Sequence, residues 1–459
     1  MPDYRIERDT MGEMRVPADA LYGAQTQRAV ENFPISGLRM PRAFIEALGL
    51  IKACAAKVNG ELGELDPDRA RAIEAAAEAV ARGEYDSQFV VDVFQTGSGT
   101  STNMNANEVI AHLANQRLAR ANSTVHPNDH VNRGQSSNDV IPSALHISGA
   151  VETSRSLLPA IRALQHELAK KAEQFADIVK IGRTHLQDAV PMLLGQEFSG
   201  YARQAELAGE RIQAACEDLY ELALGGTAVG TGLNAHPQFA IRVIAQIAER
   251  TGLPFREATN HFEAQASKDA VCFFSGALRT CAVSLTKIAN DIRWLGSGPR
   301  CGLGELMIPE TQPGSSIMPG KVNPVIAESL LMVCAQVIGY DGAIAWSCAS
   351  GNFELNVMMP VMAYDLLASI SLLTSATRNF TERLVRGLEA DREHIKAYVE
   401  QSLAMVTALV PEIGYERAAA LAKEAYQRRR TIREIAREKS GIPEERLREL
   451  LDPMRQARG

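Results

Sequence analysis

From Leu278 onward the apolar residues Leu278, Cys281, Leu285, Ile288, Ile292 and Leu295 recur at alternating steps of three and four. That spacing draws a single seam down an α-helix and fits no strand period, so the stretch must form a long helix packed on another. Cys272, Phe273 and Phe274 fall off the seam, which gives such a helix neighbours on several sides. Comparable stretches run over roughly 138–178, 195–224, 237–251 and 324–349, several of them longer than a usual globular helix. The expected fold is therefore mainly α, a multi-helix bundle. Lys287, Asp291 and Arg293 interrupt even the best apolar run, so no segment is expected to offer the ~18 uncharged residues of a membrane span. A soluble protein without a membrane partner is the expectation.

The bulk properties set outer bounds. A chain of 459 residues can hold two or three structural units around a sizeable core. With a net charge of −7 it has no blanket attraction for nucleic acid, although helix N-termini can still make a local anion site. The N-terminal MPDYRIERDT is charged from its third residue and lacks an apolar signal core, which points to the cytoplasm. Cys54, Cys216, Cys272, Cys281, Cys301, Cys334 and Cys348 are scattered with no C-x-x-C pair, so reduced thiols are expected and neither a disulfide frame nor a metal site.

Four glycine- and hydroxyl-rich stretches separate the helical runs: TGSGTSTNMNANE (96–108), HPNDHVNRGQSSND (126–139), GRTHLQDAVP (182–191) and PGSSIMPGKVNP (313–324). The last is no nucleotide loop, because five residues separate Gly314 from Gly320 and Val322 stands where a magnesium-binding hydroxyl belongs. Pro319 also removes one N–H from any phosphate nest. Three of the four lead into a predicted helix. Asn138 beside Asp139 is a possible cap for one, and Asn323 with Pro324 reads as an N-cap and N1 pair for another. If the loops converge, several helix N-termini point at one anion. Taken one at a time, each loop is also ordinary punctuation between helices.

Together these motifs resemble the fumarase/aspartase superfamily: PGSSIMPGKVNP, GSGT-x-x-NMN-x-NE, HPND, QSSND, and GRTHLQDAVP followed by GQEFSGY. The resemblance covers nearly the whole chain, from YRIERDTMGEMRVPADALYGAQTQRA to IGYERAAALAKEAY. Within the superfamily it is similar to the class II, iron-independent fumarases. His185 matches them where aspartases typically carry glutamine, Gly320 where aspartases tend to alanine, and Ser137 where aspartases usually show threonine. The KVN at 321–323 differs from argininosuccinate and adenylosuccinate lyases. Aspartate ammonia-lyase is the alternative, followed by a non-catalytic helical tetramer, whose signature would be loss of the base, the imidazole or the cation.

The resemblance implies an N-terminal domain over 1–135, a central long-helix bundle over 136–393 and a small helical C-terminal domain over 394–459. It implies reversible hydration of fumarate to (S)-malate in the tricarboxylic acid cycle, through an aci-carboxylate and without cofactor or metal. Ser315 would be the base, with Lys321, Asn323 and amides near Ser316 stabilising the dianion. His185, oriented by Glu328, would handle the water. Ser98, Gly99, Thr100, Ser136, Ser137, Asn138 and Thr184 would hold the substrate carboxylates. The expected partners are a small dicarboxylate and three further copies of the chain, each active site being shared by three chains. His126, Pro127, Asn128 and Asp129 would form a second, peripheral anion site, although Ser123 stands where some members have arginine.

Overall fold

The computed structural model describes residues 3–119 and 123–458. It opens with a hairpin of β1 (Tyr4–Asp9) and β2 (Gly12–Pro17), then α1 (Ala24–Asn32), α2 (Arg42–Glu61), α3 (Pro67–Ala81) and α4 (Thr100–Leu118). Next come α5 (Ser137–Glu152) and α6 (Leu158–Gln174), then a hairpin of β3 (Val179–Thr184) and β4 (Gln187–Leu193). The long helices follow: α7 (Leu194–Cys216), α8 (Phe239–Thr251), the short α9 (His261–Ala266), α10 (Asp269–Leu295), α11 (Val325–Cys348) and α12 (Met359–Arg383). After α13 (Arg392–Gln401) the chain ends in short helices, among them Tyr415–Arg428 and Ile432–Lys439.

The mainly α expectation holds, with local departures. The single helix expected over 138–178 is two helices joined by a wider turn at Thr153–Leu157. The run from 195 stops at Cys216, giving way to a tighter turn and a two-residue strand at Glu221–Leu222. Every residue of the seam that begins at Leu278 is buried, none more than 5% exposed.

The chain divides into two compact units. The first comprises 1–159, 210–282 and 335–374. Its centre is α2, which packs on α3, α5 and α8. Alanine-rich faces bring α2 and α3 close: Ile51, Ile73, Ala76, Ala77 and Val80 are fully buried. Gly49 permits the approach, since a Cβ there would lie 2.6 Å from the Ala81 nitrogen. Asp66 caps α3 through the N–H groups of Asp68 and Arg69, with Pro67 following it.

The second unit comprises 160–209, 283–334 and 375–459. One hydrophobic cluster gathers Ile181 of β3 with Val399, Met405, Leu409, Leu421, Ile432, Ile435, Leu447 and Leu451. This cluster anchors the base of the β3–β4 hairpin, whose tip carries His185.

One expectation is corrected. Asp269–Leu295, Val325–Cys348 and the run Met359–Gly387 are each long and apolar enough, by length and composition, to cross a membrane. Charges at 287, 291 and 293 crowd the end of α10 and leave before them a mostly apolar window whose charges are Asp269 and Arg279. These helices also keep large apolar side chains outside the chain's own core: Phe273, Val283 and Trp294 on α10, and Met332, Ile338 and Trp346 on α11.

Candidate active site

The first group of site residues sits where two helices begin. Gly99 takes a left-handed backbone (φ 73°) and ends the loop that starts α4; a side chain there would press on Ile141 at 2.9 Å. The loop turn places Ser98 Oγ 2.8 Å from Thr100 Oγ1, and Thr100 Oγ1 lies 2.6 Å from Ser137 Oγ at the start of α5. Three hydroxyls from two helix N-termini therefore form one chain. Neutral donors backed by two positive helix ends suit a carboxylate without fully neutralising it.

Helix α5 is capped by Ser136 and not by Asn138. Ser136 Oγ accepts the Asn138 N–H, and Asp139 answers by accepting the Ser136 N–H at 2.9 Å, a capping box. Asn138 is turned elsewhere, its amide donating to the Ala228 carbonyl at 2.9 Å. Asp139 is fully buried, and its second oxygen accepts the N–H groups of Gly225 (2.9 Å) and Thr227 (3.0 Å). Burial pushes its carboxyl up to about 6, against the pull of those N–H groups and of Lys52. Lys52 is itself fully buried and donates to Asn132 Oδ1 (3.0 Å) and Gln135 Oε1 (2.9 Å). Burial brings its ammonium down to about 7, opposed by the Asp139 charge. Lys52 and Asp139 thus brace the 132–139 turn from both ends. Of the two, Asp139 was readable as the acid of an S-x-x-D capping pattern; Lys52 lies in an alanine-rich helix with no local signal.

The second group is the 313–324 loop. Gly314 donates its N–H to the Lys321 carbonyl at 2.7 Å, and the Asn323 amide donates to the Gly314 carbonyl at 2.6 Å. A Cβ on Gly314 would lie 2.5 Å from the Lys321 oxygen, so glycine is required for this closure. Gly320 is left-handed (φ 80°) in open space. Inside the closed loop, Ser315 Oγ accepts the backbone N–H groups of Ile317 (3.2 Å) and Met318 (3.0 Å). Two donors aimed at one hydroxyl oxygen favour its anionic form. Lys321 is exposed, and its ammonium makes no hydrogen bond or ion pair among the described residues. Helix α11 starts at Val325 with the Pro324 carbonyl accepting from Glu328, one residue later than expected; Asn323 closes the loop and does not cap the helix.

His185 stands at the tip of the β3–β4 hairpin. Thr184 pairs with Gln187, which leaves His185 and Leu186 as a two-residue turn with φ of 56° and 61°. Both central residues are left-handed, the primed-turn geometry that usually demands Asn or Gly, so the hairpin holds a histidine and a leucine under strain. Thr184, His185 and Leu186 are exposed. Among the described residues no hydrogen bond or ion pair joins His185 to Glu328 or Ser315. Ser316 is exposed beside Ile317, which is 83% exposed.

At 126–129, His126 opens a short wide turn over Pro127–Val131. Its Nδ1 accepts the Asp129 N–H and lies 3.2 Å from the Asp129 carboxylate. His126 and Pro127 border a cavity of about 280 Å³, lined also by Arg5, Arg8, Glu7, Glu108, His112 and Asn115. Asn128 is exposed.

Known proteins resemble the chain over nearly its whole length. A general lyase family matches residues 12–339, and a fumarase C C-terminal family matches 405–455. The chain is 58% identical over 433 residues to a class II fumarate hydratase of Mycobacterium tuberculosis, covering 94% of this chain and 90% of that one. It is 54% identical over 452 residues to a class II fumarate hydratase of Neisseria meningitidis serogroup A, covering 98% of each. A class II fumarase of Schistosoma mansoni superposes with a TM-score of 0.96 at 41% identity, covering 99% of both chains. A cobalt-bound fumarate lyase/delta crystallin of Brucella melitensis superposes at 0.95 and 44% identity, covering 99% of this chain and all of that one.

Proposed function

This chain belongs to the class II fumarate hydratases of the lyase family and hydrates fumarate reversibly to (S)-malate, and on that premise we propose how its loops divide the chemistry. Removing the proton beside a carboxylate leaves a doubly charged aci-carboxylate, so stabilising that charge is the largest demand on the site. Ser315 takes the carbon-bound proton. The observation that supports this role is its hydroxyl oxygen accepting the N–H groups of Ile317 and Met318. Those bonds strengthen as the oxygen becomes an alkoxide, and the N-terminal end of α11 adds to them. Lys321, Asn323 and the amides near Ser316 hold the developing charge on the substrate carboxylate, a contact stronger in the transition state than in the ground state. On the opposite face His185, oriented by Glu328, carries the proton for the attacking or departing water.

The hydroxyl chain Ser98–Thr100–Ser137, with Gly99, Ser136, Asn138 and Thr184, receives the carboxylates. The active unit is a homotetramer whose sites draw loops from three chains. Two features support this: the apolar faces of α10 and α11, with Trp346 75% exposed, and the exposed Leu186 and Ile317 beside the two groups that would react. Covering those faces with other copies, and not with lipid, fits a cytoplasmic enzyme of the tricarboxylic acid cycle that needs no metal. The domains divide at 135/136 and 393/394. The 126–129 turn, with Arg5 and Arg8 beside its cavity, is a peripheral anion site.

Purified protein given L-malate should generate the ultraviolet absorbance of fumarate with a chelator present. Turnover of L-aspartate without turnover of L-malate would replace this reading with an ammonia-lyase, and an absolute metal requirement would remove the cofactor-free part.

A further inference from the structure

We propose that Glu305 is a positioning residue for His185, acting through the bulged strand that carries the histidine. This inference rests on the role given to His185 above. In a regular strand residues 180 and 183 face opposite sides of the sheet. Here the β3–β4 register shifts between Ile181 and Arg183, at the buried Gly182. The bulge turns both cations to one carboxylate: Lys180 Nζ lies 3.2 Å from Glu305 Oε2, and an Arg183 guanidinium nitrogen donates to Glu305 Oε1 at 2.6 Å. Glu197 shares Lys180 at 2.8 Å. Glu305 has no exposed surface and the Lys180 side chain is 1% exposed, so these contacts are unscreened by solvent.

Glu305 is itself fixed. Its N–H donates to the Leu295 carbonyl at 2.8 Å, and its carbonyl accepts the Asp391 N–H at 3.0 Å. Arg183 is paired with Asp188 and is followed directly by the Thr184–Gln187 pair that closes the His185 turn. A shift at Arg183 therefore passes to the imidazole across one residue. Four buried or half-buried charges cost desolvation that an apolar core would avoid, so their return must lie in something other than stability alone. A fixed bulge register supplies it: both central turn residues hold left-handed backbones that the hairpin would otherwise relax.

The experiment is a double-mutant cycle in the intact enzyme with L-malate as substrate, using Glu305→Gln, His185→Asn and the pair. Folding and assembly are checked by circular dichroism and native mass spectrometry. Glu305→Gln should lower kcat by roughly 10- to 100-fold while KM stays within about threefold, the signature of a misplaced group and not of lost binding. In the His185→Asn background the same substitution should cost less than about twofold, because the group it positions is gone. Arg183→Gln, which leaves Glu305 paired with Lys180, goes through the same cycle, so a misfolded Glu305 variant does not stop the test. Equal losses in both backgrounds would mark a purely structural cluster and overturn the proposal while leaving His185 in place. Full activity in His185→Asn alone would overturn the reading of His185 and this proposal with it.

Discussion

Gly97 precedes the hydroxyl chain, and replacing it with alanine is the sharpest steric test of that chain. The added Cβ would fall 1.6 Å from the Val357 carbonyl oxygen, 2.4 Å from its carbon and 2.9 Å from its Cα. All three are backbone atoms, so no side chain can swing aside. Real Cβ contacts do not fall under 3.0 Å, and the two segments must part by about 1.4 Å. The Met359 N–H bond to the Gly97 carbonyl, now 3.1 Å, ties the same two segments together. Ser98 is the next residue, and its link to Thr100 is only 2.8 Å. A displacement near 1 Å in a substrate-positioning group costs about 10²-fold in rate. Gly97→Ala should therefore lose roughly 100-fold in kcat/KM for L-malate, followed by fumarate absorbance, and lose about 1–3 kcal/mol of stability as an overpacked site. A folded variant with kcat/KM within about threefold of the parent would refute the claim that this loop's position sets substrate binding.

Three further outcomes are expected. Thr100→Val keeps the shape but breaks the bonds to Ser98 and Ser137, and kcat/KM should fall about 10- to 100-fold by steady-state assay. Lys52 is held at about 7 in the folded chain against an ordinary 10.5, so between those values the unfolded chain binds more protons and native stability rises with pH; Lys52→Met should remove that rise, so the parent's Tm should climb relative to the variant's from about pH 7 to about pH 9.5. Trp346→Glu places a charge on an exposed apolar helix face; sedimentation should show loss of the tetramer together with activity, while the far-ultraviolet helix signal persists.

Helices were legible wherever one chain's own core decides the pattern. The seam of α10 reads directly because each of its residues is buried. The expectation that no segment has the length and composition of a membrane span failed on the same helices, since their apolar surplus faces outward and sequence does not say what covers it. Cap positions were the weakest readings. Ser136, Asn138 and Asn323 are all good caps by type, and only the folded loop shows that Asn323 is taken up by the Gly314 carbonyl and Asn138 by that of Ala228. Residues that act by burial were invisible: Lys52 sits inside an alanine-rich helix and Glu305 just after a glycine-rich loop, and neither setting points to partners 80 and 122 residues away. The strained turn at His185 was missed because neither histidine nor leucine signals a left-handed backbone.

The most direct measurement is proton exchange at C3 of L-malate in D₂O, followed by proton NMR, in the parent and in Ser315→Ala. The parent should place one deuterium at C3 stereospecifically. The folded variant, in the same assembly state as the parent, should lose exchange and turnover together, by about 10²- to 10⁴-fold, as expected for removal of a positioned base. Exchange at the parental rate in Ser315→Ala would contradict the assignment of Ser315 and, with it, the account of the 313–324 loop.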